Sequence, residues 1–356
     1  MKDRIEQFIE SDGTSEDFER LALETFAWQY ARVEVYRRVC ESRGIDPEAV
    51  RRWQDIPPLP ADAFKQGLGC NPKPSHVFLS SGTVSGRDSR SRHELSTLST
   101  YRASALRHFA RMVVPDHPGP MSVQVLGPTA ETHPDSSLGQ MFSWIRDAHA
   151  KDKASCVFDL EGKLDAVQAV HWLRGVAATS TPVLLLGISS AFTAIFAFLR
   201  NRGEPLRLPA DSRIVDTGGK KGSSRVLSAR GHLKACWRYL HVPSYMCVNE
   251  YGMTEMLSQY YDDALFNRHS GKLAPRRKIG PPWCRHLVVN PATLEPVRKG
   301  SRGILRYIDL SNWESVSALQ TLDIGVDNGA GLEILGRARG EDARGCSQLM
   351  GAIGRG

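Results

Sequence analysis

Residues 181–199 read T-P-V-L-L-L-G-I-S-S-A-F-T-A-I-F-A-F-L, an uncharged stretch that ends beside Arg200 and Arg202. Its reading decides the fold. A membrane-spanning helix needs about 20 unbroken apolar residues. Here Pro182 opens the short apolar run Val183–Leu186, Gly187 interrupts it, and Ser189 and Ser190 offer capping hydroxyls for a helix beginning near Ala191. A buried strand followed by a helix therefore accounts for the stretch better than a span does.

The same alternation extends in both directions. Strand patterns fall at 77–80, 121–126, 182–187, 212–217 and 245–249, and helical periodicity falls at 97–112, 137–150, 162–176, 190–200 and 226–240. Strands alternating with helices predict a parallel α/β core. Upstream, Thr14 and Asp17 resemble a capping box opening one helix, with Phe18, Ala22, Phe26, Val33, Tyr36 and Cys40 near one face and a stop at Gly44. The I-P-P-L-P run at 56–60 reads as a rigid connector. Beyond Arg276 helical periodicity disappears, and Trp283–Val289, Gly303–Ile308, Ala318–Leu322 and Gly331–Leu335 read as antiparallel strands, with N-P-A-T at 290–293 as a turn. The expected division is a helical segment and connector at 1–75, an α/β core at 76–275, and a β subdomain with a C-terminal tail at 276–356.

Composition narrows the class. With 41% hydrophobic and 24% charged residues, the 356-residue chain is of the soluble globular kind and long enough for two or three subdomains. The net charge of +7 suits an anionic substrate, but the arginines are scattered and aromatics do not alternate with them, so no nucleic-acid partner is expected. The densest basic cluster, Arg276-Arg277-Lys278, reads as a solvated loop. The N-terminus M-K-D-R-I-E-Q-F-I-E lacks the apolar stretch of a signal peptide. Cysteines at 40, 70, 156, 236, 247, 284 and 346 form no C-x-x-C pair and no metal-ligand spacing, so reduced thiols and a cytoplasmic location are expected.

Four motifs carry chemistry. The loop Ser80–Ser91, S-S-G-T-V-S-G-R-D-S-R-S, offers glycines that let backbone N–H groups turn inward, hydroxyl donors and nearby arginines, a phosphate cradle in chemistry. By composition alone it reads more readily as a solvated linker. In N-E-Y-G-M-T-E, 249–255, a strand ends in a glycine turn that projects Tyr251, Thr254 and Glu255 from its C-terminal edge, where parallel sheets bind ligands. A tyrosine face stacks on a base, a threonine bonds a phosphate oxygen, and a glutamate holds Mg²⁺; an ordinary turn with a helix-starting Thr-Glu is the competing reading. T-L-D-I-G at 321–325 places Asp323 between a strand and a turn, and G-R-A-R-G at 336–340 ends the next strand with Arg337. A carboxylate and a guanidinium suit ribose hydroxyls, and each is also ordinary turn chemistry.

The order S-S-G-T, Y-G-M-T-E, T-x-D, G-R resembles the adenylate-forming superfamily that includes acyl-CoA synthetases. I-P-P-L-P-A-D-A-F-K at 56–65, P-D-S-S-L-G-Q-M at 134–141, Y-G-M-T-E-M-L-S-Q-Y-Y at 251–261 and G-R-A-R-G-E-D-A-R-G-C-S at 336–347 further resemble acyl-protein synthetases of the bioluminescence type, the LuxE-like family. The resemblance implies an adenylate-forming α/β fold with a small antiparallel β subdomain and no lid domain. It implies that Ser80, Ser81, Gly82 and Thr83 hold the ATP phosphates, and that Tyr251 and Gly252 flank adenine. Thr254 would meet the α-phosphate, Glu255 the Mg²⁺, and Asp323 and Arg337 the ribose. The implied activity is activation of a carboxylic acid, a fatty acid in the family, followed by acyl loading onto Cys346 and delivery to an acyl reductase or carrier-protein partner.

Cys346 in R-G-C-S also suits the role on its own chemistry, because a thiolate attacks an acyl-adenylate readily and Arg344 favours the thiolate. A structural cysteine in a tail is the alternative. The other six cysteines read as core packing. Two departures stand out. Val84 occupies a place where relatives commonly carry a threonine, and the lid that supplies a transition-state lysine in most adenylate-forming enzymes is expected to be missing. Lys220 and Lys221 in D-T-G-G-K-K-G are the candidate replacements, with a surface turn the equal reading. Two other functions fit the same motifs: an acyl-CoA or acyl-carrier-protein ligase, and a nucleotide-binding scaffold with impaired catalysis.

Overall fold

The computed structural model describes residues 1–81, 90–116, 119–152, 157–218 and 226–338. In chain order the helices and strands are α1 Lys2–Ser11, α2 Ser15–Arg32, α3 Glu34–Ser42, β1 Leu59–Pro60, β2 His76–Leu79, β3 Arg92–Leu95, α4 Ser99–Val113, β4 Ser122–Leu126 and α5 Ser137–His149. They continue as α6 Ala166–Ala177, β5 Val183–Ile188, α7 Ser189–Arg202, β6 Arg213–Thr217, α8 Ala229–Leu240, β7 Cys247–Met253, β8 Met256–Asp262 and α9 Ala264–His269. The closing strands are β9 Lys278–Ile279, β10 Cys284–Val289, β11 Arg302–Asp309, β12 Ala318–Asp327 and β13 Leu332–Arg337. Two units share these elements. One gathers Met1–Arg107, Gly252–Tyr260 and the chain from Arg277 onward; the other holds His108–Tyr251 and Tyr261–Arg276.

The second unit contains the parallel sheet. Strands β4, β5, β6 and β7 pair in that order, all parallel, with Leu126 opposite Gly187 and Thr217 opposite Glu250. The run at 181–199 is the βα unit that its punctuation predicts, with Leu184, Leu185 and Leu186 buried in β5 and Phe192, Ile195 and Leu199 buried on α7. Strands covered on both faces read as continuous apolar runs. Gly187 is required by close approach, since a Cβ there would lie 2.7 Å from Leu126 Cβ and from its carbonyl oxygen. Among the described residues no helix is long and apolar enough to cross a membrane.

The other unit joins the N-terminal helices to the antiparallel strands. The capping box at α2 is present: Thr14 Oγ1 accepts from Asp17 N–H and Asp17 Oδ2 from Thr14 N–H, both at 3.1 Å. The single helix expected through to Gly44 is instead broken at Val33, which takes an extended conformation (φ −95°, ψ 97°) and is buried. β10, β11, β12 and β13 pair antiparallel in turn, β13 meets β9, and β1 lies parallel to β12. Gln29 on α2 ties the helices to the segment before β12. Its Nε2 donates to the carbonyls of Asn312 (2.9 Å) and Trp313 (3.1 Å), while its Oε1 accepts from Ser317 N–H and Oγ–H.

Three local expectations are corrected. β2, expected in the parallel core, pairs antiparallel with β3 in a separate two-stranded sheet, His76 opposite Leu95 through Leu79 opposite Arg92. β3 escapes the sequence pattern because one of its two inward residues is His93, a polar side chain on the buried face. Thr254 and Glu255 do not start a helix; they turn the chain from β7 into β8, a strand buried along its whole length despite Ser258, Gln259 and Asp262. The 276–278 cluster is no solvated loop. Arg276 pairs with Asp262 at 2.9 Å and donates to the carbonyls of Cys247 and Ser244, and Lys278 is 8% exposed.

Candidate active site

The turn Thr254-Glu255 is held by a polar frame inside the first unit. Asp309, at the end of β11, is buried, and its carboxylate accepts the N–H groups of Leu257 (3.0 Å), Ser258 (2.9 Å) and Ser311 (2.9 Å) and the Ser258 hydroxyl (2.7 Å). Burial pushes its pKa up to about 6, and these donors pull against that shift. Asn312 Nδ2 donates to the Glu255 carbonyl at 2.7 Å. The imidazole of His93 lies 2.8 Å from the Thr254 carbonyl through Nδ1 and 2.8 Å from Ser315 Oγ through Nε2.

A carbonyl only accepts, so Nδ1 carries the proton. Burial pushes the His93 pKa down to about 4, which keeps the ring neutral at ordinary pH and leaves Nε2 to accept from the Ser315 hydroxyl. The ring therefore bridges two elements with one tautomer.

Glu255 is half-buried. Desolvation raises its carboxyl pKa, while a hydrogen bond from the Ser91 side chain and the positive charge of Arg337 act in the opposite direction. Ser91 in turn closes the base of the loop: Ser80 N–H donates to the Ser91 carbonyl at 3.0 Å, and Ser91 N–H donates to Ser80 Oγ at 2.9 Å. Arg90 Nε donates to the Ser80 carbonyl. Ser81, the last described residue before the loop, is exposed.

Asp323 lies within β12 rather than between a strand and a turn, because β12 runs on to Asp327. It stands directly opposite Arg337 on β13, and its N–H donates to Thr321 Oγ1 at 3.1 Å. The structure thus brings Ser80, Glu255, Asp323 and Arg337 into one unit, with Thr254 on the same turn as Glu255. Tyr251 and Gly252 lie on β7, the first half-buried and the second exposed. Gly82, Thr83, Val84, Lys220, Lys221 and Cys346 lie outside the described residues.

Sequence reasoning took Ser91 only as the end of the loop and did not single out His93, Asp309, Asn312 or Ser315. The signal for the last three was present as D-L-S-N-W-E-S-V-S, 309–317, a polar run between two apolar strands. Polar residues buried between strands must be hydrogen-bonded, and here Asp309 and Asn312 bond the turn that carries Glu255 and the start of β8, while Ser315 bonds the His93 ring that holds it.

No three His, Cys, Asp or Glu side chains among the described residues group as a metal cage. One half-buried carboxylate, with its pKa raised by desolvation, still suits Mg²⁺, which is held by one or two carboxylates together with substrate phosphates.

This architecture is that of the adenylate-forming ligases. Over 90% of its length the chain aligns with 69% of 2-hydroxyisobutyryl-CoA ligase, in an open conformation with 2-HIB-AMP and CoA, at a TM-score of 0.65 and 14% identity. The same ligase in its thioesterification state gives a TM-score of 0.64 at 16% identity, covering 91% of this chain and 69% of that one. The chain belongs to the LuxE acyl-protein synthetase family, whose profile matches residues 8–353. It is 22% identical over 344 residues to the long-chain-fatty-acid–luciferin-component ligase of Vibrio harveyi, covering 93% of this chain and 86% of that protein.

Proposed function

We propose that the protein activates a carboxylic acid with ATP to an acyl-adenylate and then loads the acyl group onto Cys346. The observation that carries the reading is the Ser80–Ser91–Glu255 arrangement, in which a half-buried carboxylate is bonded to the base of a glycine- and hydroxyl-rich loop within electrostatic reach of Arg337. The name of the Vibrio harveyi relative points to a long-chain fatty acid.

In the first half-reaction a substrate carboxylate oxygen bonds to the α-phosphorus of ATP, and the bond to pyrophosphate breaks. In the second, the Cys346 thiolate attacks the acyl carbonyl, and the acyl–phosphate bond breaks to release AMP. Glu255 would hold Mg²⁺, which neutralises phosphate charge. Ser80, Ser81, Gly82 and Thr83 would donate to phosphate oxygens, Thr254 to the α-phosphate, and Lys220 would place a cation where charge develops. Tyr251 and Gly252 would flank adenine, and Asp323 and Arg337 would bind the ribose. The thioester would then pass to an acyl reductase or carrier-protein partner.

Incubation with ATP and radiolabelled acids of graded chain length tests both halves. A hydroxylamine-labile adduct is expected, absent in Cys346→Ser while ATP–pyrophosphate exchange persists. An adduct that survives in Cys346→Ser removes that cysteine from the mechanism, and exchange with no acid at all removes activation.

A further inference from the structure

We propose that a cavity of about 280 Å³ walled by Trp53, Tyr260, Lys278, Arg285 and His286 is a second ligand site, one that binds a small oxyanion through the guanidinium of Arg285. All these residues belong to the first unit, and none is among those assigned to ATP or the acyl group.

Arg285 sits at the start of β10, its guanidinium carbon 4.1 Å from the centroid of Phe18 and 5.5 Å from that of Trp53. The two rings take up the cation–π contacts of the group and leave its N–H groups as donors. Among the described residues the Arg285 side chain makes no ion pair and no hydrogen bond. Glu19, whose Oε1 accepts the Trp53 N–H at 2.8 Å, acts on it through space. Partial burial of the guanidinium lowers its pKa, against the opposing pull of the Glu19 carboxylate.

The neighbouring wall differs. His286 Nε2 lies 3.5 Å from Asp327 Oδ2, and His286 Nδ1 lies 3.3 Å from the Tyr260 hydroxyl. Asp327 thus faces the imidazole rather than the guanidinium. A planar fork with free edges matches the two oxygens of a carboxylate or phosphate. A cavity of this volume admits such a headgroup on a short stem.

Calorimetric titration of the full chain with inorganic phosphate and, separately, with succinate reads the site. At least one is expected to bind with one-to-one stoichiometry, and the tighter of the two identifies the headgroup. Arg285→Gln is expected to weaken binding roughly ten- to a hundredfold, and Arg337→Gln to leave it unchanged. Arg285→Lys, which keeps the charge and loses the fork, is expected to weaken it about tenfold, and it serves as the test if Arg285→Gln is unfolded by circular dichroism. No binding of either anion, equal binding by the Arg285 variants, or loss in Arg337→Gln overturns the proposal.

Discussion

The Nδ1–H of His93 donates to the carbonyl of Thr254 at 2.8 Å, so a neutral histidine from β3 holds the turn that presents Glu255. Asp309 holds the far side of the same turn through Leu257 and Ser258. The two groups are shifted in opposite senses. His93 falls from 6.5 to about 4 and Asp309 rises from 3.8 to about 6, both by burial.

Their effects on stability therefore oppose each other across one pH window. Between pH 6.5 and 4 the unfolded chain binds the His93 proton more readily than the folded one, so this term lowers stability as pH falls. Between pH 6 and 3.8 the folded chain binds the Asp309 proton more readily, so that term raises stability as pH falls. Each amounts to about 2 kcal/mol between pH 6.5 and 4.5, and they nearly cancel. Urea unfolding at pH 4.5, 5.5 and 6.5 separates them. The deficit of His93→Gln relative to the parent is expected to shrink as pH falls, and that of Asp309→Asn to grow. Deficits that are constant with pH in both variants contradict the opposed shifts.

Glu255→Gln is expected to separate activity from stability. The carboxylate is disfavoured by desolvation, so an amide of the same shape removes a charge that burial penalises. Pyrophosphate exchange should fall by roughly 10²-fold or more, the scale of losing one group that stabilises developing charge. The melting temperature should hold or rise. A variant that loses exchange and melts well below the parent would show that Glu255 is primarily structural.

Legibility in the sequence followed the way each part is stabilised. The βα units were readable because buried parallel strands such as Val183–Ile188 are apolar without interruption, and because Gly187, Ser189 and Ser190 mark the boundary. β3 and β8 were not, because His93 and Ser258 are polar residues buried by long-range partners at 254, 309, 311 and 315, which local periodicity cannot register. The same holds for Lys278, polar by composition and buried by position. In the candidate site, Ser80, Glu255, Asp323 and Arg337 were legible as motif residues. The frame that orients the turn was not, since its members lie up to 222 residues apart, as His93 and Ser315 do.

Asp323 and Arg337 stand opposite each other on β12 and β13. If they grip the ribose in ground state and transition state alike, their loss raises KM for ATP and leaves kcat nearly unchanged. Asp323→Ala and Arg337→Met are each expected to raise that KM about tenfold or more, the scale of a charge-assisted hydrogen bond. Steady-state exchange at varied ATP checks this. A fall in kcat at constant KM would place the pair in the chemical step instead.

The cysteines supply a test that needs no substrate. Burial pushes the Cys40 and Cys70 thiols up to about 12 and raises those of Cys236 and Cys284 as well. A thiol with a pKa near 12 is ionised in roughly one molecule in 10⁴ at pH 8, and the thiolate is the nucleophile. Brief treatment of the folded protein with iodoacetamide at pH 8, followed by peptide mapping, is expected to leave Cys40, Cys70, Cys236 and Cys284 unmodified; the same treatment in urea should label them all. Cys247 is buried too, its S–H directed at the Pro243 carbonyl at 3.5 Å. If Cys346 is the acyl acceptor, it should label in the folded protein, and prior acylation with ATP and acid should protect it. Modification of Cys40 or Cys70 at the rate of a free thiol would contradict their raised pKa values and make them candidate acyl acceptors.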